Sequence, residues 1–110
     1  MAYDSKLAER IRAEVQWLPI IEKKMFGGVG YMLHGNMAVG ILGDDLIVRV
    51  GVDEYESMLK RTHVKIFTMN GSPKPMKGWL MVEPSGTKSA KGLAQWVKLG
   101  VEFALTLPPK

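Results

Sequence analysis

The sequence predicts a two-layer α+β domain in which helices pack on an antiparallel five-stranded sheet, in the order α-β(3)-α-β(2)-α. Two observations predict this class. Apolar residues recur at helical spacing near both ends of the chain, and they alternate with polar residues at strand spacing over 25–50 and 64–83. Short glycine turns interrupt the first alternating segment, as expected for a meander of antiparallel strands. At 110 residues, the chain fits a single domain spanning 1–110.

The first predicted element is a helix that begins near residue 4. Asp4 or Ser5 can cap it, because either side-chain oxygen can accept from the amides of the first turn. Its apolar residues recur every three or four positions: Leu7, Ala8, Ile11, Val15 and Leu18. Pro19 then ends or bends the helix, since proline cannot donate to the helical hydrogen-bond ladder.

The next segment predicts three antiparallel strands, near 25–34, 37–42 and 46–50. Gly35-Asn36 and Gly43-Asp44 are the expected two-residue turns between them, because glycine accepts positive φ without steric cost. Three glycines, Gly27, Gly28 and Gly30, lie at the start of the segment. No helix follows them, so a bend or a close backbone approach explains them better than a phosphate-binding loop does.

A short helix over 53–62 separates the first three strands from the last two. Asp53 and Glu56 have the spacing of a capping box. The last strands are expected at 64–69 and 79–83, and the intervening NGSPKPMKG predicts an irregular loop because of its prolines and glycines.

A final helix completes the predicted order. Ser85 or Thr87 opens it, Pro108-Pro109 ends it, and Leu93 and Trp96 should be buried on one of its faces.

Composition excludes several classes of protein. Apolar residues make up 46% and charged residues 24%, which is ordinary for a globular chain and unlike a disordered one. The sequence has no cysteine, which excludes disulfides and Cys-ligated zinc. It also has no apolar run long enough for a membrane span and no leader-like N-terminus, so we expect a cytoplasmic protein without membrane contact.

Candidate catalytic and metal-binding groups are sparse. His34 and His63 have no ligand cluster at metal-binding spacing. Asp44 and Asp45 fall at a hairpin apex, where acidic turn residues occur without a metal. No serine lies in a nucleophile elbow, and the sequence nominates no activating base. We therefore expect a protein that is not an enzyme and that uses no metal or cofactor.

The sequence resembles the TfoX (Sxy) N-terminal domain family over almost its whole length. The resemblance rests on Met25-Phe26-Gly27-Gly28 with Gly30 and Tyr31, the Gly35 turn, Ala38-Val39-Gly40 leading to Asp45-Leu46, the Gly71 loop, Trp79, Pro84, and the helix with Ala94, Gln95 and Trp96. It implies a fold similar to that of secretion chaperones and no catalytic residues. The family's full-length namesake regulates natural competence with a cyclic-AMP-responsive transcription factor and has a further C-terminal domain. The present chain is expected to be a stand-alone N-terminal module.

Two functions are compatible with the sequence. The first is a non-enzymatic regulatory or interaction module related to the competence regulator, with a role as a transcription co-regulator. The alternative is a small ligand-binding protein or enzyme that uses a pocket near the GGVG bend.

A basic region favours the interaction module. Residues 60–98 hold eight basic residues and one acid, Glu83, a distribution that can attract an anionic partner. The predicted partner-binding residues are Arg49, Lys74, Met76, Lys77, Lys88, Lys91 and Lys98. We expect the domain to bind a protein, and the candidate partner is a protein of the transcription machinery. Weak, salt-dependent nucleic-acid binding is the alternative. A homodimer is also expected, because a one-sided layer of helices leaves the other sheet face partly open.

Alternation along the third strand puts Ile47 and Arg49 on that open face. Arg49 is there either a buried ion-pair member or part of a binding surface. The second strand adds one of two sets to the face: Ala38, Gly40 and Leu42, or Met37, Val39 and Ile41.

Overall fold

A computed structural model describes residues 3–25, 27–68 and 74–110 of the chain. Its helices are α1 (Ser5–Val15), α2 (Val52–Leu59), α3 (Pro84–Thr87) and α4 (Ala90–Leu105). Its strands are β1 (Ile20–Met25), β2 (Gly28–Leu33), β3 (Asn36–Leu42), β4 (Asp45–Arg49), β5 (Val64–Thr68) and β6 (Pro75–Val82). The predicted α+β class is confirmed. Among the helices of the described residues, none has the length and apolar content needed to cross a bilayer.

Within the described residues the sheet has six strands, in the order β1-β2-β3-β4-β6-β5, and every neighbouring pair is antiparallel. The prediction of five strands is wrong because it missed β1. The segment 25–34 was expected to be one strand, but it contains the last residue of β1 and the whole of β2. The two strands form a hairpin, in which Met25 pairs with Gly28 and Gly27 has a φ of 78°. β1 is an edge strand with four exposed positions in a row, so its sequence lacks the apolar alternation that would have revealed it.

The β2–β3 turn lies one residue earlier than predicted. Its two residues are His34 and Gly35, with φ of 54° and 83°. Asn36 is buried at the start of β3, and its Nδ2 donates to the carbonyl oxygen of Pro108 at 2.9 Å. The hairpin tip is thereby tied to the C-terminal segment. The second predicted turn, at Gly43-Asp44, is confirmed.

Two predicted helix starts are also wrong. The N-cap of α2 is Gly51, so Asp53 already lies in the first turn and no side chain caps the helix. The last helix begins after Ser89, whose Oγ accepts from the amide of Gly92 at 3.0 Å. Ser85 belongs to the separate short helix α3. Asp4 caps α1 as predicted, accepting from the amides of the first turn.

The segment predicted as an irregular loop is partly a strand. Pro75 is the first residue of β6, a position where proline loses no ladder hydrogen bond, and it pairs with Thr68 of β5. Residues 70–73 of that loop lie outside the described residues, as does residue 69, the last residue of the preceding predicted strand.

The helices pack on one face of the sheet, where a single apolar core forms. Leu93 and Trp96 are buried there as predicted, with 2% and 6% of their surface exposed. The two layers approach closely at Gly100 of α4, where a Cβ would overlap the carbonyl oxygen of Ala38. Glycine at this position lets α4 lie directly on β3.

A polar network joins α1 to the sheet beside this core. Tyr31 Oη donates to Glu22 Oε2 at 2.6 Å, and Arg12 Nε donates to the same oxygen at 2.9 Å. Partial burial opposes ionisation of Glu22, but the hydrogen bonds from Tyr31 and Arg12 outweigh it and lower the pKa of the carboxyl. Burial and the bond to Glu22 raise the pKa of Tyr31.

This network predicts a pH-dependent contribution to stability. A carboxyl whose pKa is lowered by folding stabilises the protein above its unfolded pKa, here about 4.5, and loses that contribution as the pH falls through the folded pKa. Glu22→Gln should therefore lower the free energy of unfolding at about pH 6 and have a smaller effect at about pH 3. Urea unfolding at the two pH values measures the difference. An effect of equal size at both would contradict the assignment.

Candidate functional site

The face of the sheet opposite the helices carries a second set of apolar side chains. Gly40, Ile47 and Met81 lie side by side on β3, β4 and β6 and alternate with residues of the core. All buried residues of the long helices belong to the core on the other side. Among the described residues, therefore, helices pack on one face only, and we call the opposite face the uncovered face. The expected position of Ile47 on this second face is confirmed.

A β-bulge in β3 decides which residues reach the uncovered face. Tyr31 pairs with Val39 while its neighbour Met32 pairs with Met37, so Ala38 is an extra residue in the strand. Ala38 and Val39 both lie in the core, which leaves Met37 and Gly40 on the uncovered face. The sequence did not decide which of the two alternating sets of β3 residues faces outward. Because of the bulge, the uncovered face carries Met37 from one set and Gly40 from the other.

The uncovered face contains an apolar pocket of about 290 Å³. Its main lining side chains are Met25, Met37, Ile47, Phe67, Met76 and Trp79. Met76 was predicted to lie in an exposed loop, but it lies in β6 and is half-buried against this pocket. The volume of the pocket is close to the lower end of the range of about 300–1,000 Å³ that is usual for ligand pockets.

Glycines give the pocket its shape. A Cβ on Gly30 would lie 3.3 Å from Met25 Cε and from Met37 Sδ, and a Cβ on Gly40 would overlap Met37 Cε. The two methionine side chains can therefore lie flat across the strands. Gly28 serves a different purpose, since a Cβ there would overlap the carbonyl oxygen of Ile41 in the neighbouring strand.

The GGVG stretch thus has a structural account residue by residue. Gly27 makes the β1–β2 turn, Gly28 lets β2 approach β3, and Gly30 underlies the pocket. A strand follows the glycines, and in the part of the chain that the structure describes no helix N-terminus lies behind them. Phe26, the remaining residue of the motif with Met25, lies outside the described residues.

Arg49 lies at the margin of the pocket. Its Cζ is 4.9 Å from the ring centroid of Trp79, which lines the pocket, and 5.6 Å from that of Phe103. Both distances allow a cation–π interaction. The sequence left two interpretations of Arg49, a member of a buried ion pair or a surface group. Within the described residues no acid forms an ion pair with Arg49, which favours the surface group.

The predicted partner-binding residues divide into two groups. Arg49, Met76 and Lys77 lie on or next to the uncovered face, and the exposed Lys74 directly precedes β6. The other three are exposed on the helix side of the sheet: Lys88, Lys91 and Lys98. The two groups are on opposite layers, so the structure does not bring all seven residues onto one surface.

Two further cations accompany the first group, and no pattern in the sequence pointed to them. Lys23 pairs with Gly30 and Lys65 with Met81, so both share the uncovered face. Lys65 Nζ is 3.2 Å from Asp45 Oδ2. Lys23 has no ion pair with a described acid.

A serine–histidine pair was also missed. The sequence nominated no base for Ser85, yet its Oγ lies 2.7 Å from His63 Nδ1. His63 has a φ of 72°, which is unusual for a residue with a side chain. Both residues are exposed, and within the described chain no carboxylate binds the other ring nitrogen of His63. The 22-residue separation hid this contact from sequence analysis.

The comparisons with known proteins decide the family. Residues 15–104 match the family model of the TfoX N-terminal domain. The chain belongs to the TfoX N-terminal domain family. The match contains the six strands of the described residues and every described residue that lines the pocket, so the uncovered face as described lies within the TfoX N-terminal domain. The resemblance seen in the sequence is confirmed.

No curated protein and no solved structure matches the chain. The expected likeness of this TfoX N-terminal domain to secretion chaperones therefore stays a prediction. Within residues 3–25, 27–68 and 74–110, no three His, Cys, Asp or Glu side chains are grouped closely enough to hold a metal ion.

Proposed function

We propose that this TfoX N-terminal domain is a non-enzymatic regulatory module that binds a protein partner through its uncovered face, and that the partner belongs to the transcription machinery. The apolar pocket on that face is the observation that carries the proposal. Exposed apolar surface of this kind commonly marks a contact site. The methionines that line the pocket suit it to a protein segment, because their flexible, polarisable side chains can adapt to a partner.

The apolar surface extends beyond the pocket, which favours a protein over a small molecule. Met37 of the pocket pairs with Met32, which pairs with Ile21 on the edge strand β1. Ile21 has 68% of its surface exposed. An apolar row thus crosses three strands from the pocket to the sheet edge. A small ligand would fill the pocket alone, whereas a protein segment would also cover the row.

The experiment compares capture of proteins from lysate of the native host. The immobilised domain should retain a partner that survives nuclease treatment, and Ile47→Lys should abolish retention by placing a charge in the pocket. Met76→Lys, at a half-buried position of the same pocket, is a second and structurally milder variant. Ile66→Lys is the matched control, because Ile66 is an isoleucine 49% exposed on edge strand β5 that does not line the pocket.

Circular dichroism establishes that each variant is folded before its result is used. Equal capture by the native domain, Ile47→Lys and Met76→Lys would contradict the proposal. Loss of capture after nuclease treatment would indicate that nucleic acid, and not protein, is the partner.

One observation favours the alternative of a ligand-binding protein. The pocket lies at the GGVG bend, where Met25 and Gly28 form part of its lining. A thermal-shift screen with nucleotides, metals and apolar metabolites tests this function. A ligand present at about a hundred times its dissociation constant adds about 2.7 kcal/mol to the free energy of unfolding, which such a screen detects.

We also propose that the domain forms a homodimer through the uncovered face, and we expect salt to favour the dimer. A face-to-face dimer would bring the positive charges of the two uncovered faces, among them Lys23 and Arg49, near one another, and like charges repel less when salt screens them. Light scattering at about 50 mM and 500 mM salt should show more dimer at the higher concentration. A monomer of 12.2 kDa at both would contradict self-association.

A further inference from the structure

We infer that the segment bound by the uncovered face is acidic: a large apolar side chain of the partner enters the pocket, and a neighbouring carboxylate binds Arg49. This inference rests on the proposed function, since it names the chemistry of the partner at that same site. Three observations support it: Arg49 is held by ring contacts without an ion pair to a described acid, the unpaired charge on this face is positive, and the pocket lining is apolar.

Arg49 is positioned to bind a carboxylate. Its guanidinium lies over the rings of Trp79 and Phe103, at 4.9 and 5.6 Å, so the side chain is already ordered before a partner arrives. Ring stacking uses the flat faces of a guanidinium and leaves its N–H groups available for a bidentate pair with a carboxylate. Within the described residues no acid lies within salt-bridge distance of Arg49.

The charges on the strands of the uncovered face that have no ion pair are positive. Arg49 and Lys23 lie on this face, and neither forms an ion pair with a described acid. Lys65 and Asp45 lie on it too, but they neutralise each other in their ion pair. An acidic segment would therefore approach a positive field.

The same features rank the acidic segment above two other occupants. A second copy of the domain, as in the homodimer proposed above, would use the same face, but it would present its own Lys23 and Arg49 to those of the first, so at low salt the acidic segment is the better occupant. A nucleic acid would satisfy the cations, but the pocket is lined by methionine, isoleucine and phenylalanine side chains. Arg49 also covers one face of the Trp79 ring, so that face cannot stack on a base.

Fluorescence anisotropy with two labelled peptides tests the inference. Both contain a central Leu-Phe pair, flanked on each side by two aspartates in the first peptide and by two lysines in the second. The domain should bind the aspartate peptide at least about tenfold more tightly, a difference of about 1.4 kcal/mol. Binding should weaken as salt rises from about 50 mM to 200 mM.

Variants assign the effect to the site. Arg49→Gln should weaken binding of the aspartate peptide at least about tenfold, and Arg49→Lys should restore part of it by restoring the charge. Lys23→Glu, at an exposed position of the uncovered face, should also weaken binding without disturbing the fold. Lys91→Glu, on the exposed side of α4, is the matched control and should leave binding unchanged.

Equal binding of the two peptides, or unchanged binding by both Arg49→Gln and Lys23→Glu, would overturn the inference. Displacement of the bound peptide by short DNA at equal concentration would indicate nucleic acid as the ligand and would also overturn it. These outcomes are separate from those of the proposed function: capture of a host protein that depends on Ile47, without preference for the aspartate peptide, would leave the proposed function intact and remove only the acidic partner.

Discussion

Replacing Trp96 by alanine is expected to lower the free energy of unfolding by about 3–5 kcal/mol, the usual cost of truncating a large buried aromatic side chain. Trp96 is 6% exposed, and it lies in the core between α4 and the sheet. The Arg61 guanidinium lies over its ring at 4.7 Å, so the truncation also removes a cation–π contact. Urea denaturation followed by circular dichroism measures the change.

Trp17→Ala is the matched control for this prediction. Trp17 is 78% exposed, and its Nε1 donates only to the carbonyl oxygen of Glu14 at 3.2 Å. Surface substitutions of this kind usually change stability by less than about 0.5 kcal/mol. If the two substitutions had equal effects, Trp96 would not occupy the core position described above.

Gly28→Val is expected to lower the free energy of unfolding by about 3 kcal/mol. Valine is intrinsically favoured in strands, which alone would make the variant more stable. However, a Cβ at this position would overlap the carbonyl oxygen of Ile41. A backbone atom of a central strand cannot rotate away as a side chain can, so β2 and β3 must separate, and overpacking of this kind costs about 1–3 kcal/mol or more. The steric term therefore exceeds the propensity term.

The control for this prediction is Gly27→Asn in the adjacent turn. A Cβ on Gly27 has open space around it, and asparagine tolerates the positive φ of 78° found there. This variant should be less destabilising than Gly28→Val. Calorimetry with ATP and GTP should detect no binding by the native protein, because Gly28 serves packing and not phosphate binding. Micromolar nucleotide affinity that Gly28→Val removes would show that the glycine has been misassigned.

The sequence predicts the fold class because apolar periodicity records which residues are buried. Strands covered on one face, such as β4, show this periodicity clearly, and the placement of Ile47 on the second face followed from it. β1 escaped prediction because an edge strand with charged residues on both faces carries no such signal. Pro75 and Gly78 concealed the first half of β6, since each is typical of loops.

The candidate site was predicted only in part. Alternation placed Arg49 on the second face of the sheet, but the ring of Phe103 comes from α4, 54 positions later, and no local pattern reports such a contact. The same limit applies to the lysines. Lys65 and Lys91 belong to one basic region of the sequence, yet Lys65 lies on the uncovered face and Lys91 on the helix side of the sheet. Local sequence spacing does not determine how the layers stack.

The indole N–H signals of the three tryptophans in an NMR titration with the captured partner test the central claim most directly. Trp79 lines the pocket, Trp96 lies in the core and Trp17 is exposed in the connection between α1 and β1. If the uncovered face binds the partner, the Trp79 signal should shift while those of Trp17 and Trp96 stay in place. An unchanged Trp79 signal, together with shifts in the backbone amides of α4, would place the partner on the helix layer and contradict the proposed function.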